Sequence, residues 1–148
     1  MQKVVVFSQI EAAILAQLKQ TYNVVVLNPK LGDINAQIRA EVQDADAMIG
    51  AGRVLNKSNL ATAQQLKIIS TVSVGYDNYD VNYLNQRNIW LAHTPHVLTE
   101  TTADLAFSLL LSAARKIPQL DAWTKQGQWQ RTVSNTQFGV DVFGKTLG

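Results

Sequence analysis

The chain has 148 residues, 47% of them hydrophobic, enough for one domain of ordinary size or for one small domain and part of another. Its 13 basic and 11 acidic residues give a formal charge of +2 and form no Lys/Arg block, which argues against nucleic acid as a partner. The absence of cysteine excludes disulfides, thiolate nucleophiles and cysteine metal sites. With no apolar leader or long apolar stretch, we expect an unexported, cytoplasmic protein without a membrane partner.

Short apolar runs alternate with amphipathic segments from the start of the chain. Residues 4–7 and 24–27 are continuous apolar runs rich in valine, typical of strands buried on both faces of a parallel sheet. Apolar residues recur at every fourth position after each run, which predicts two helices: Ile10, Ile14 and Leu18, then Ile34, Ile38 and Val42. Asp33 is predicted to cap the second helix.

Three more strands are predicted at residues 47–50, 66–70 and 89–91. Short helices are predicted between them, one lined by Leu55, Leu60 and Ala63 and one that runs from Asp80 to about Arg87. Five strands that alternate with helices predict an α/β fold. We expect an open, doubly wound parallel sheet of flavodoxin-like shape.

A different pattern begins at Thr99, where one long helix is predicted to run to Arg115. Thr101 and Asp104 are spaced like a capping box at its start. The polar residues of this helix form a single stripe, namely Asp104, Ser108, Ser112 and Arg115. Because the rest of its surface is apolar, we expect it to be buried between two bodies.

The strand at residues 66–70 continues as an apolar run that stops at Gly75, where turn-forming residues follow. In open parallel sheets ligands bind beyond the carboxyl ends of strands, and a glycine there lets backbone N–H groups approach an anion. Val74 and Gly75 are therefore candidates for binding a carboxylate. The alternative is that Gly75 only supplies a positive φ for the turn.

A second candidate loop, residues 50–53, follows the third strand. Arg53 in this loop either pairs with a substrate carboxylate or is a solvated loop residue. His93 and His96 have a spacing that suits a metal site poorly, because Pro95 lies between them and no acidic or cysteine ligand is close in sequence. We expect no metal site, with His93 at the end of the fifth strand near a domain cleft and His96 in a loop.

The residues at 73–78 are Ser-Val-Gly-Tyr-Asp-Asn, followed by His-Thr-Pro at 93–95 and Leu-Thr-Glu-Thr-Thr-Ala-Asp at 98–104. This series resembles the D-isomer-specific 2-hydroxyacid dehydrogenases, and within them the branch that reduces glyoxylate, hydroxypyruvate and 2-ketogluconate. Gly-Lys-Thr-Leu-Gly at 144–148 resembles the strand opening with which these enzymes enter their nucleotide-binding domain.

The resemblance implies a substrate-binding domain over residues 1–98. Over 99–148 it implies an interdomain helix, a dimerisation arm and the first residues of a nucleotide-binding domain. Its implied site residues are Val74 and Gly75 for the substrate carboxylate, Ala51 and Gly52 for the pocket lining, and Thr99 and Thr102 near the nicotinamide of NAD or NADP. The alternative for the two threonines is that their hydroxyls cap the long helix.

Residues 117–129 are amphipathic and correspond to the arm that packs on a second subunit in the resembled enzymes, which implies a homodimer. Trp123 and Trp129 either anchor that interface or belong to a local core. Phe138 stands where some relatives place an aromatic residue that reaches the partner's active site. Some relatives also have an arginine at the position that corresponds to Gly50, and its replacement by glycine leaves the charge of the pocket open here.

Reduction of a 2-keto acid by a nicotinamide requires a carboxylate-binding group, a proton donor, a cation that polarises the ketone and a bound dinucleotide. The resemblance places the family's histidine, its partner carboxylate and its arginine beyond Gly148, and the G-x-G-x-x-G motif is not among these residues. We therefore expect the N-terminal part of a longer reductase, inactive and unable to bind NAD(P)H by itself. The alternative is a non-catalytic flavodoxin-like module, or a silent partner subunit that associates through its C-terminal helix.

Overall fold

The computed structural model describes residues 1–148 and divides into two compact units, Met1–Val97 and Leu98–Gly148. The first unit is an α/β fold around a five-stranded, all-parallel sheet, as predicted. Its strands are Lys3–Val6 (β1), Asn23–Val26 (β2), Ala47–Gly50 (β3), Ile68–Thr71 (β4) and Trp90–Ala92 (β5), in the spatial order β2-β1-β3-β4-β5. Its α-helices are Ala12–Thr21 (α1), Ile34–Glu41 (α2), Lys57–Leu60 (α3) and Val81–Gln86 (α4), and a 3-10 turn spans Pro29–Leu31.

The core lies on one face of the sheet. The chain moves across the sheet in one direction from β1 to β2 and in the other direction from β2 through β3 and β4 to β5. Because the crossovers are right-handed, α2, α3 and α4 lie on the core face and α1 lies on the opposite face. Val5, Met48 and Ile69 lie side by side in register and are fully buried in one cluster with Ile38 and other residues of these three helices. The interior strand β1, which lies between β2 and β3, is buried on both faces, as its apolar run predicts.

The predicted cap of α2 is confirmed, whereas the predicted apolar stripe of the first helix is not buried. The Asp33 carboxylate accepts hydrogen bonds from the N–H groups of Asn35 and Ala36 at 3.0 and 3.1 Å. Ile10 precedes α1, and Ile14 and the rest of that helix contain no buried residue. The physical reason is that α1 is the only helix of the first unit on its face of the sheet, so no other helix of that unit covers its flanks.

The second unit contains the helices Thr99–Ala114 (α5) and Ile117–Lys125 (α6), separated by Lys116 in the left-handed conformation. The predicted capping box is wrong, because the first helical hydrogen bond runs from the Thr102 N–H to the Leu98 carbonyl. Leu98 is the N-cap residue and supplies no side-chain bond, while Thr101 lies inside the first turn.

No helix or strand follows α6, but the chain beyond it returns to contact the ends of α5 and α6. The Val140 N–H donates to the carbonyl of Ala114 at 2.7 Å, at the end of α5. Gly139 is needed for this approach, since a Cβ there would clash with the backbone of Ala114 and Arg115. Within the predicted arm, the rings of Trp123 and Trp129 stack with centroids 6.3 Å apart. The two tryptophans therefore contact each other locally.

Candidate carboxylate-binding site

The loops after β3 and β4 leave the sheet side by side. Gly50 and Thr71 are paired in register, and the Val72 N–H donates to the Gly50 carbonyl at 3.0 Å. Further along, Leu55 and Tyr79 form a parallel bridge that joins the far ends of the two loops. The two loops are therefore bonded to each other at their beginnings and at their far ends. As a result, the predicted substrate residues lie on adjacent segments at the carboxyl edge of the sheet.

The amides of the β4 loop are free to bind a ligand. The backbone N–H groups of Val74, Gly75 and Tyr76 donate to no acceptor of the chain, and all three residues are exposed. In the β3 loop the Ala51 N–H already donates to the Ser8 hydroxyl at 2.7 Å, whereas the Gly52 N–H has no acceptor. Ala51 can therefore line a pocket only through its side chain and carbonyl.

The structure contradicts the alternative explanation for Gly75. Gly75 does not have a positive φ, unlike Gly52, whose φ is 69°. A Cβ built on Gly75 would meet only the Asp77 Oδ2, at an ordinary contact distance of 3.6 Å. Neither a positive φ nor neighbouring atoms therefore require a glycine at this position.

Three consecutive carbonyls of the same loop, those of Ser73, Val74 and Gly75, are hydrogen-bonded. The Ser73 carbonyl accepts from the Thr94 N–H at 3.0 Å, and the Gly75 carbonyl accepts from the Ser73 hydroxyl at 2.7 Å. The Val74 carbonyl lies 2.9 Å from Nδ1 of His93. Since a carbonyl can only accept, His93 must carry a proton on Nδ1.

Sequence reasoning assigned His93 a place near a cleft but missed its contact with Val74. The signal was available in the predicted sheet, because a histidine at the end of β5 is next to the end of β4. The Tyr76 ring also packs edge-on against the His93 imidazole, with centroids 5.1 Å apart.

Buried hydroxyls lie beneath the loop. The Thr71 side chain is buried, and its Oγ1 lies 2.7 Å from the Ser73 hydroxyl that supports Gly75. The nearby Tyr79 hydroxyl is buried without a hydrogen-bond partner. Burial raises the pKa of the Tyr79 phenol. The phenol therefore stays neutral at physiological pH.

Charges of both signs border the two loops. Asp80 caps α4 by accepting the Tyr83 N–H at 3.0 Å, while Asp77 lies near Gly75. Arg53 is exposed and forms no ion pair, so its guanidinium is available to an anion.

A cleft of about 490 Å³ lies on the β5 side of this loop. Its lining comprises Tyr76, Val81, Asn85, Asn88, Ile89, Trp90, Leu91 and His93. None of the four predicted substrate residues lines it. The free amides of Val74 and Gly75 therefore lie outside this cleft.

The predicted cofactor residues, Thr99 and Thr102, lie in the first turn of α5. Their hydroxyls do not cap the helix, because its N-cap residue is Leu98 without a side-chain bond, so the capping alternative is wrong. Residues 126–148 form neither a strand nor a helix. No group of three or more His, Asp or Glu side chains is placed to hold a metal ion. None of the helices is long and apolar enough to cross a lipid bilayer.

Comparison with known proteins identifies the family. The family model described as "D-isomer specific 2-hydroxyacid dehydrogenase, catalytic domain" matches residues 4–142. The chain belongs to this family. The predicted family resemblance is thereby confirmed.

Relatives within the 2-hydroxyacid dehydrogenases are similar to nearly the whole chain. Glyoxylate/hydroxypyruvate reductase B of Yersinia enterocolitica is 40% identical over 145 residues, which cover 98% of this chain and 44% of the relative. The same-named protein of Serratia proteamaculans is 39% identical over 145 residues, with 98% and 45% covered. This 2-hydroxyacid dehydrogenase chain therefore spans less than half the length of these curated relatives.

Solved structures of this family have the same fold. The NADPH-dependent glyoxylate/hydroxypyruvate reductase of Sinorhizobium meliloti in complex with citrate is 30% identical, with a TM-score of 0.80 over 98% of this chain and 44% of that one. The same reductase in complex with NADP and malonate gives a TM-score of 0.79 at 30% identity, again over 98% and 44% of the two chains.

Proposed function

We propose that this chain is the substrate-binding part of an NAD(P)-dependent reductase that converts a small 2-keto acid to the D-2-hydroxy acid. The substrates we propose are of the glyoxylate, hydroxypyruvate or 2-ketogluconate type. The observation that carries the proposal is the run of unpaired backbone amides that includes Val74, Gly75 and Tyr76, at the carboxyl edge of a parallel sheet. The names of the relatives and the citrate and malonate complexes of the Sinorhizobium meliloti reductase support it.

In this proposal the Val74 and Gly75 amides donate to the substrate carboxylate, with Ala51 and Gly52 lining the opposite side. Hydrogen bonds from N–H groups to a carboxylate are charge-assisted and directional, so they fix the orientation of the adjacent keto group. Arg53, which has no ion-pair partner, adds positive charge nearby. NAD or NADP, when bound by the complete enzyme, supplies the hydride.

We further propose the roles that the family resemblance assigns to the two ends of the chain. Residues 1–98 act as the substrate domain, and residues 99–148 act as an interdomain helix and dimerisation arm. Thr99 and Thr102 lie near the nicotinamide in the complete enzyme, and their unbonded hydroxyls are compatible with that role. We also propose that the complete enzyme is a homodimer in the cytoplasm.

A chimera tests the proposed activity. These 148 residues would replace the matched segment of the Yersinia enterocolitica reductase, leaving that protein's remaining residues in place. We expect the chimera to oxidise NADPH or NADH with glyoxylate and hydroxypyruvate as substrates. Glycolaldehyde and hydroxyacetone, which lack the carboxylate, should be poor substrates, with kcat/KM lower by about 100-fold or more.

The control for this experiment is cofactor binding by the same chimera. A folded chimera that binds NADPH but reduces no 2-keto acid would contradict the proposed function. Equal rates with and without the substrate carboxylate would contradict the assigned binding site.

The Asp77 carboxylate near Gly75 should oppose anion binding. Replacing Asp77 with asparagine removes this charge while it preserves the size of the side chain. We expect the KM of the chimera for glyoxylate to fall about fivefold, because like charges a few ångströms apart in partly hydrated surroundings repel by roughly 1 kcal/mol. Glu11→Gln, a neutralisation next to α1, serves as the control, and an equal effect of both variants would rule out a local role for Asp77.

A further inference from the structure

Hydrogen bonds to the carbonyl groups of the β4 loop set the directions of its backbone N–H groups. The donors to the Ser73 and Val74 carbonyls, the Thr94 N–H and the His93 Nδ1, both belong to the segment that follows β5. In a trans peptide the C=O of one residue and the N–H of the next point in opposite directions, and the chain contains no cis peptide bond. The N–H groups of Val74 and Gly75 therefore point away from the β5 segment, toward the side of β4 that β3 occupies.

We propose that His93 is a positioning residue for the substrate carboxylate. Its Nδ1–H holds the Val74 carbonyl and thereby directs the Gly75 N–H, on the opposite side of the same peptide, toward the bound anion. His93 acts through this peptide and does not touch the substrate. This inference rests on the proposed function and adds a residue to it.

The peptide between Val74 and Gly75 needs such a restraint. A flip of this peptide plane changes mainly the ψ of Val74 and the φ of Gly75. Glycine accepts φ values of either sign at little cost, so Gly75 does not prevent the flip. The His93 bond is the only hydrogen bond that either end of this peptide makes within the chain. Because Gly75 has no side chain, a ligand can approach its backbone amide. For the same reason, the amide can turn away from the ligand.

The neighbouring peptides are held in other ways. The Ser73 carbonyl is bonded to a backbone N–H, and the Gly75 carbonyl to the Ser73 hydroxyl within the loop. The His93 imidazole is itself oriented by the Tyr76 ring, which contacts it edge-on at an interplanar angle of 72°. Loss of the His93 side chain should therefore affect the Gly75 amide more than the amides of Val74 and Tyr76.

The test uses the 148-residue chain, labelled with ¹⁵N and titrated with malonate, a stable dicarboxylate. Malonamide serves as the neutral ligand control. We expect His93→Ala to raise the Kd for malonate about tenfold, because one charge-assisted hydrogen bond loses its direction. His93→Asn should recover most of the affinity, because its side-chain amide can offer an N–H close to the position of Nδ1.

His96→Asn is the matched control, since His96 makes no hydrogen bond through its side chain and asparagine tolerates its φ of 65°. Its Kd should equal that of the wild-type chain. If His93→Ala fails to fold, the comparison of His93→Asn with His93→Gln replaces it. Glutamine carries its amide one bond further out, and we expect it to bind malonate more weakly than asparagine does.

The outcomes separate this inference from the proposed function. Absence of any malonate-dependent shift in the wild-type chain would contradict the carboxylate site itself. Equal affinity of the wild-type chain and His93→Ala would overturn the role of His93 and leave the carboxylate site standing. An equal loss in folded His93→Ala and His93→Asn would also overturn it, because the restored N–H donor would then have no effect.

Discussion

Replacing Gly75 with valine is expected to abolish turnover of the chimeric reductase while its fold remains intact. The branched side chain would occupy the space through which a carboxylate reaches the Val74 and Gly75 amides, and displacing a substrate by about 1 Å costs on the order of 100-fold in rate. The free chain has room for a Cβ at this position, so the thermal unfolding midpoint should change little. Steady-state kinetics with glyoxylate, together with a thermal melt, measure both effects.

Val74→Ala is the matched control for this variant. It shortens an exposed side chain in the same loop but preserves both amides, so kcat/KM should stay within about threefold of the unmodified chimera, as expected for a surface substitution. A folded Gly75→Val chimera with unchanged kcat and KM would remove the assignment of the carboxylate site.

Self-association through α5 and α6 is the second large expected effect. Leu105, Phe107 and Leu109 on α5 are 59%, 56% and 60% exposed, and Ile117 at the start of α6 is 54% exposed. Burying each side chain contributes roughly 1.5–3 kcal/mol, so the four side chains together rival the total stability of a small domain, about 5–15 kcal/mol. We expect the chain either to dimerise through these helices or to unfold locally beyond residue 98.

Light scattering combined with limited proteolysis distinguishes these states. A dimer should protect the chain between Thr99 and Lys125 from cleavage, whereas a locally unfolded monomer should be cut there. Phe107→Glu should shift the dimer to monomer, and Glu100→Gln, at the start of the same helix, should not. A compact monomer that resists protease throughout would contradict this expectation.

The parallel sheet could be predicted because its signals are local in the sequence. The valine run of β1 and the cap at Asp33 depend on neighbouring residues, and both behave as predicted. The start of α5 at Thr99 is also as predicted, whereas its cap is not. Leu98 is the N-cap residue and makes no side-chain bond, which leaves Thr101 within the first turn.

The candidate site was predictable in outline but not in detail. Gly75 could be selected because a glycine follows a strand end, yet its φ depends on the loop conformation and not on its neighbours in sequence. The contact between His93 and the Val74 carbonyl joins residues 19 positions apart, and it exists only because β4 and β5 are neighbours in the sheet. Interactions of this kind require the folded arrangement of the strands.

The most direct measurement of the central claim is a map of backbone amide shifts in the ¹⁵N-labelled chain during titration with malonate. The account predicts saturable shifts that are largest at the amides of Val74, Gly75 and Tyr76, smaller at Gly52, and absent when malonamide replaces malonate. Shifts that centre on the cleft around Asn85 and Trp90 instead, or that malonamide reproduces, would contradict a carboxylate site at the end of β4.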